Sequence, residues 1–301
     1  MRLPNFLIIG SGRSGTTSLY EYMRRHPDVF MSDVKEPSYF AYMEGAGLPT
    51  KGRHAEWVRR NAVTTRQAYE DLFANAGTAT AIGEASPIYL IHPAAPDRIR
   101  AALPDVRLIA ILRHPVDRAH AAWFGLLRDG DEDSATIEEA LTMEDSRLRE
   151  GWTPSAGLVH NGLYFQMLSR YYDRFAQGRI RVYLYEDLVR DPQGLLREIF
   201  EFLDVDPGFI PDLSQRFAST GVVRNPLLRV LWRNSRTPRR LARAFLPRAW
   251  RDGAYAWVTR DLVKPPLAPA TRAMLMERFR PDIIALQTLI GRDLSVWLNP
   301  T

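Results

Sequence analysis

Four consecutive apolar residues, Phe6-Leu7-Ile8-Ile9, run directly into Gly10-Ser11-Gly12-Arg13-Ser14-Gly15-Thr16-Thr17-Ser18. The apolar run predicts a short buried strand. Glycines at positions 10, 12 and 15 allow a tight turn. Residues 16–25 then continue as a predicted helix, with Leu19, Tyr22 and Met23 on one side. Strand, glycine-rich turn and helix together form an anion cradle. Free N–H groups at the helix start point at the bound group, and the helix dipole favours negative charge there.

Gly10 and Gly15 have the separation of a nucleotide-binding P-loop, G-x-x-x-x-G-K-[ST], but the lysine position holds Thr16, followed by Thr17. The cation of the loop is Arg13, three residues earlier. With no cysteine among the 301 residues, disulfides, thiolate metal sites and a cysteine nucleophile are excluded. No apolar run approaches the roughly 20 residues of a membrane span, and the first five residues lead straight into the strand, so no signal peptide is expected. A net charge of +5 is compatible with an anionic ligand and equally with an arginine-rich composition.

Further strands are predicted at residues 81–87, ending in a turn, at 106–112 and at 179–185. Helices are predicted over 54–76, 137–149, 162–176, 192–203 and 271–290. The nearly continuous apolar run Val106-Arg107-Leu108-Ile109-Ala110-Ile111-Leu112 reads as a parallel strand covered on both faces. Pro115 suits the first turn of a following helix. This alternation predicts an α/β fold of three layers, a P-loop-like parallel sheet flanked by helices, with a mostly helical C-terminal cap. A single domain over 1–301 is expected, its core about 1–205 and its cap about 206–301. Ligands of such sheets sit at the carboxyl ends of the strands. That rule gathers the 10–17 loop, the end of strand 106–112 and the 84–89 turn at one edge.

Several motifs in chain order resemble those of sulfotransferases that use 3′-phosphoadenosine 5′-phosphosulfate (PAPS). Gly12-Arg13-Ser14-Gly15-Thr16-Thr17 is similar to the family's 5′-phosphosulfate loop. Leu112-Arg113-His114-Pro115-Val116-Asp117-Arg118 is similar to its 3′-phosphate motif. Gly162-Leu163-Tyr164, Tyr185-Glu186-Asp187-Leu188 and the tail Gly291-Arg292-Asp293-Leu294 also have counterparts there. The resemblance, to bacterial-type members similar to heparan- and carbohydrate-sulfotransferase domains, implies a soluble enzyme moving a sulfuryl group from PAPS to a hydroxyl or amine by in-line transfer with a general base. No metal is expected.

The resemblance also implies roles. Ser11, Gly12, Arg13, Ser14, Gly15, Thr16 and Thr17 would bind the phosphosulfate, and Arg13 would neutralise charge on the leaving phosphate. Arg113, Tyr164 and Arg224 would complete the cofactor site, Arg113 holding the 3′-phosphate. The family usually places a serine eight residues after that arginine. Here the position is Ala121, a departure for which Arg118 or a backbone amide would compensate. Glu36, in Lys35-Glu36-Pro37, is the candidate base, with Glu84 and the histidines His92, His114 and His120 as competitors. His26 and His160 read as structural. Lys35, Glu84, Ser86 and Tyr89 are expected to line the acceptor side.

The alternatives are a P-loop small-molecule kinase and a non-enzymatic module binding anions or nucleic acid. The kinase needs a lysine at position 16 and a strand-end acid for magnesium; the chain has Thr16 and Arg113. The binding module leaves the glycine loop unexplained, and no nucleic-acid partner is expected. The acceptor can be a glycan, a lipid or a small molecule. Between Leu213 and Arg251 stand ten arginines and no acid, interleaved with leucine and tryptophan. A peripheral contact of residues 224–251 with an anionic membrane is expected from that pattern, with the protein in the cytoplasm or at the inner membrane face.

Overall fold

The computed structural model describes residues 2–214, 222–223, 262–263 and 265–299. Arg224 and the arginine-rich stretch 224–251 lie outside the described residues. Five parallel strands form one sheet: β1 (Phe6–Gly10), β2 (Val29–Met31), β3 (Ala81–Ala85), β4 (Arg107–Leu112) and β5 (Ile180–Leu184), in the order β2-β3-β1-β4-β5. β1 is central, with Phe6 opposite both Gly83 of β3 and Arg107 of β4. A short antiparallel pair, β6 (Val222–Val223) and β7 (Leu262–Val263), stands apart from this sheet.

The helices among the described residues are α1 (Thr16–Met23), α2 (Tyr39–Tyr42), α3 (Arg53–Asn61), α4 (Arg66–Asp71), α5 (Ile88–Ile91), α6 (Ala95–Ala102) and α7 (Pro115–Asp129). They continue with α8 (Ile137–Arg149), α9 (Tyr164–Tyr172), α10 (Tyr185–Arg190), α11 (Pro192–Phe202), α12 (Pro269–Ile290) and α13 (Ser295–Leu298). All of β1 is buried, so its side chains must alternate between two covered faces. Leu7 and Ile9 join Leu108, Ala110 and Leu112 in a core that also takes in Val116, Leu168 and Phe279 from α7, α9 and α12. Phe6 and Ile8 join Ile109 and Ile111 against Leu19 of α1 and Ile199 and Phe200 of α11. Helix, sheet and helix are the three layers expected. A Cβ on Gly83 would lie 2.4 Å from the Phe6 ring, so the close approach of β3 to β1 needs glycine there.

Pro115 opens α7 as expected, and α8 spans the predicted residues. The long helix expected over 54–76 is two helices. α3 stops at Asn61, and Ala62 is extended. The Thr65 hydroxyl then accepts from the Ala68 N–H and caps α4. Between them the Val63 N–H donates to the Pro37 carbonyl (2.9 Å) and the Thr64 carbonyl accepts from Glu44 (2.8 Å). The β-branched run Val63-Thr64-Thr65 favours this extended link. Farther along, Asp282 of α12 accepts from the Phe165 and Gln166 N–H groups and thereby caps α9.

Candidate functional site

The parallel sheet brings Gly10, Ala85 and Leu112, the ends of β1, β3 and β4, to one edge. The loop after β1 is tied down from both sides. The Ser11 N–H donates to the Ile111 carbonyl at 2.7 Å, and the Ser11 and Ser14 hydroxyls share a 2.7 Å hydrogen bond. Arg13 (φ 69°) and Gly15 (φ 93°) are left-handed, which turns the chain into α1. A Cβ on Gly15 would press on Leu188 and the Tyr185 ring at 3.0 and 3.1 Å. No side chain caps the start of α1. Its first N–H groups are therefore available to an anion at the sheet edge.

Tyr164 connects this loop to the end of β4. Its fully buried hydroxyl donates to the Arg113 carbonyl at 2.9 Å and accepts from Ser11 Oγ at 3.5 Å. Arg113 lies over the Tyr185 ring, 4.6 Å from its centroid, and its Nη1 reaches the Arg13 carbonyl at 3.4 Å. Glu186 accepts from the His114 N–H at 3.1 Å, and burial raises the pKa of its carboxyl. Tyr185 and Glu186 thus support the Arg113 corner.

Arg13 reaches across to α7. Its Nη2 is 3.4 Å from Asp129 Oδ2, and its guanidinium fills the space where a side chain on Gly125 would stand. A Cβ there would lie 2.2 Å from Nη2 and 2.4 Å from Cζ. Glycine inside a helix costs about 1 kcal/mol against alanine, and the Arg13 contact supplies its physical reason. Burial lowers the Arg13 pKa, against the opposing charge of Asp129.

Arg118 is only 2% exposed. Its Nη2 donates to the Leu158 carbonyl, and its buried Nε has no hydrogen-bond partner among the described residues. Burial lowers its pKa, and the like charges of Arg13 and Arg113 act in the same direction. The Glu144 carboxylate opposes that shift, yet the buried guanidinium keeps one nitrogen without a partner among the described residues, and burying a charge that is incompletely paired is costly. This arginine cluster and the uncapped start of α1 fit a ligand carrying separate phosphate and phosphosulfate groups. Residue Ala121 is wholly buried on α7.

Glu36 follows the β2 edge on a constrained loop. Glu36 (φ 62°) and Ser38 (φ 59°) are both left-handed. The Glu36 N–H donates to the Ala85 carbonyl (3.1 Å), the Ser38 N–H to Ser86 Oγ (3.0 Å), and the Ser38 hydroxyl to the Glu36 carbonyl (3.0 Å). Such backbone is held only where its surroundings over-determine it. The Glu36 carboxylate is 36% exposed and ion-paired with Lys35, and its charge acts on Arg13.

Glu84, Ser86 and Tyr89 sit beneath this loop, fully buried. Ser86 Oγ donates to Glu84 Oε2 at 2.8 Å, and the Tyr69 hydroxyl to Oε1 at 3.4 Å. Burial pushes the Glu84 pKa up to about 7, partly offset by the hydrogen bonds from Tyr89, Ser86 and Tyr69. These side chains underpin the Glu36 loop; they do not open to solvent.

The three histidines considered as bases occupy packed positions. His114 Nε2 lies 3.2 Å from the Trp297 carbonyl. His120 stacks on Trp123, and His92 packs against Tyr42. The histidine near the site is His54 on α3, which the sequence motifs passed over. Its N–H donates to Asp131 Oδ1 at 3.0 Å, and its ring senses the charges of Asp131, Glu36, Asp129 and Arg13. Only the topology reveals this proximity, since no motif surrounds His54.

Comparison with known proteins agrees with this geometry. The sulfotransferase family matches residues 4–209. The mouse heparan sulfate glucosamine 3-O-sulfotransferase 3B1 is 30% identical over 209 residues, covering 67% of this chain and 46% of that protein. The membrane-associated sulfotransferase kil1 of Dictyostelium discoideum is 22% identical over 284 residues, covering 68% of this chain and 56% of that protein. The chain thus spans about half the length of the curated relatives it matches. The crystal structure of a sulfotransferase from Alicyclobacillus acidocaldarius superposes with a TM-score of 0.77 at 29% identity, covering 99% of this chain and all of that one. The resemblance read from the ordered motifs is borne out, and the chain belongs to the sulfotransferase family.

Proposed function

We propose that the chain transfers a sulfuryl group from PAPS to a hydroxyl or amine. The observation that carries this reading is that Arg113 reaches the Arg13 carbonyl beside an uncapped helix start, with the buried guanidinium of Arg118 sensing both their charges. When bound, PAPS supplies the sulfuryl group and a phosphate leaving group. The 12–17 amides and the Thr16 and Thr17 hydroxyls hold the phosphosulfate end, and Arg113, kept in place by Tyr185 and Tyr164, holds the 3′-phosphate. Arg13 stabilises charge that develops on the leaving oxygen, and as an arginine it acts without giving up its proton. The Glu36 carboxylate takes the acceptor's proton.

The acceptor side is proposed to take a glycan, consistent with relatives named for glucosamine sulfation. Among the described residues no helix is long and apolar enough to cross a membrane. Peripheral contact with an anionic membrane through residues 224–251 is proposed on sequence grounds alone, with placement in the cytoplasm. The single-domain division, core about 1–205 and cap about 206–301, is likewise a proposal.

Calorimetric titration with PAP and with ATP, followed by transfer of labelled sulfate from PAPS to glycans, tests the central reading. Micromolar PAP binding that raises the melting temperature is expected. Preferential ATP binding with magnesium-dependent turnover would overturn it in favour of a kinase.

A further inference from the structure

We propose that the stacked His54–Trp57 pair on α3 is the acceptor subsite, and that it receives a pyranose ring on its flat C–H face. α3 buries Ala55 and Val58 against the core and leaves His54 and Trp57, also three residues apart, on an adjoining stripe. Their rings are parallel within 7°, with centroids 5.5 Å apart. Trp57 remains 41% exposed, and it is the one aromatic residue among the described exposed large apolar residues. An exposed indole with one face covered by another ring is a platform for a flat partner.

Its location ties it to the reacting groups. The His54 N–H is held by Asp131, two residues beyond Asp129, and Asp129 is ion-paired with Arg13. The charges of Glu36 and Arg13 both reach the His54 ring. A second exposed apolar residue, Val34, lies two positions before Glu36.

The platform is also fixed in place. Gly52 enters α3 at φ 87°, where a Cβ would press on Asp131 Oδ1 at 3.0 Å and on the Trp152 ring at 3.1 Å. Lys51 pairs with Glu150 at 2.9 Å. Core packing takes up Ala55 and Val58 and leaves the Trp57 indole open to solvent.

The chemistry favours a sugar. The stacked pair offers a small apolar face, and the charges of Asp131, Glu36 and Asp129 act on its histidine. A pyranose presents an apolar C–H face and donor hydroxyls around its rim, matching both features. A lipid chain needs a longer apolar surface than one indole.

This inference rests on the sulfotransferase reading for its catalytic meaning, but binding can be read without turnover. The full chain is labelled with 5-fluorotryptophan, and the Trp57 fluorine resonance is assigned by its loss in Trp57→Phe. Chitotriose and 4-nitrophenol are titrated separately, and PAP affinity is measured on the same samples. Chitotriose is expected to shift the Trp57 resonance saturably. Trp57→Ala should weaken chitotriose binding tenfold or more, and Trp57→Phe by less, with PAP affinity unchanged within twofold. A Trp57 resonance that chitotriose leaves in place, or shifted only by 4-nitrophenol, would overturn the subsite. Chitotriose binding without PAP binding would keep the subsite and sink the sulfotransferase reading; PAP binding with no sugar effect would do the reverse.

Discussion

Arg13 and Gly125 depend on each other, and substitution at one should be felt through the other. Gly125→Ala places a methyl group where the guanidinium lies. We expect turnover with PAPS to fall by about 10- to 100-fold, the scale of a misplaced catalytic group. In an Arg13→Ala background the same change should cost nothing further. There it should raise the melting temperature by a few degrees, because alanine is the better helix former and nothing opposes it. Additive effects in the two backgrounds would show that the contact is idle. Glu36→Gln should lower kcat by about 100-fold or more while PAP affinity stays put, since a base acts on the acceptor. Wild-type turnover in that variant would move the role to another group. Arg13, Arg113 and Glu36 were legible in the sequence because each adjoins a glycine or proline turn at a strand end. Gly125, Asp129 and His54 were not. They reach the site through helix packing, and helix packing leaves no local pattern around a single residue.

At the scale of elements, the site is a junction between the β1–α1 loop, the β4–α7 corner and the start of α9. Tyr164 at the head of α9 bonds to both others. Tyr164→Phe keeps the ring and leaves the Arg113 carbonyl short of a donor. A loss of about 1 kcal/mol of stability, the net worth of such a bond, is expected in denaturant melts. PAP affinity should fall with it, because the two loops proposed to hold its phosphates are no longer tied. An unchanged affinity would mean that the loops hold their spacing without the tyrosine. β1, β3, β4 and β5 and helices α7, α8 and α11 could be read ahead of the structure, the strands from apolar runs and α7 and α11 from proline at their starts, whereas the three-residue β2 and the β6–β7 pair are too short to leave such a pattern. The break between α3 and α4 could not. Apolar spacing continues through residues 54–76 and outweighs the local signals of the β-branched run and the Thr65 cap; a long-range bond from Val63 to Pro37, beside the Glu36 loop, decides for the break.

Across the whole molecule, the buried carboxyl of Glu84 makes stability depend on pH. Its pKa rises from 4.5 to about 7 on burial, so the folded protein retains a proton that the unfolded chain releases between those values. The stabilising contribution is full below pH 4.5 and is lost as the pH climbs toward 7, by an amount on the order of 3 kcal/mol. Glu84→Gln cannot ionise, so its melting temperature should fall less than the wild type's between pH 5 and 8. Parallel pH profiles for the two proteins would place the proton elsewhere. The sheet order has a consequence for how the chain is made. β1 is made before the other strands of the sheet, yet its partners are β3 and β4, and the Ser11 N–H waits for the Ile111 carbonyl. Until residue 112 has been synthesised, the growing chain carries an apolar strand with an unpaired edge. Nascent chains halted before Arg107 should therefore need chaperone shielding, and their glycine loop would have no fixed shape to offer a nucleotide.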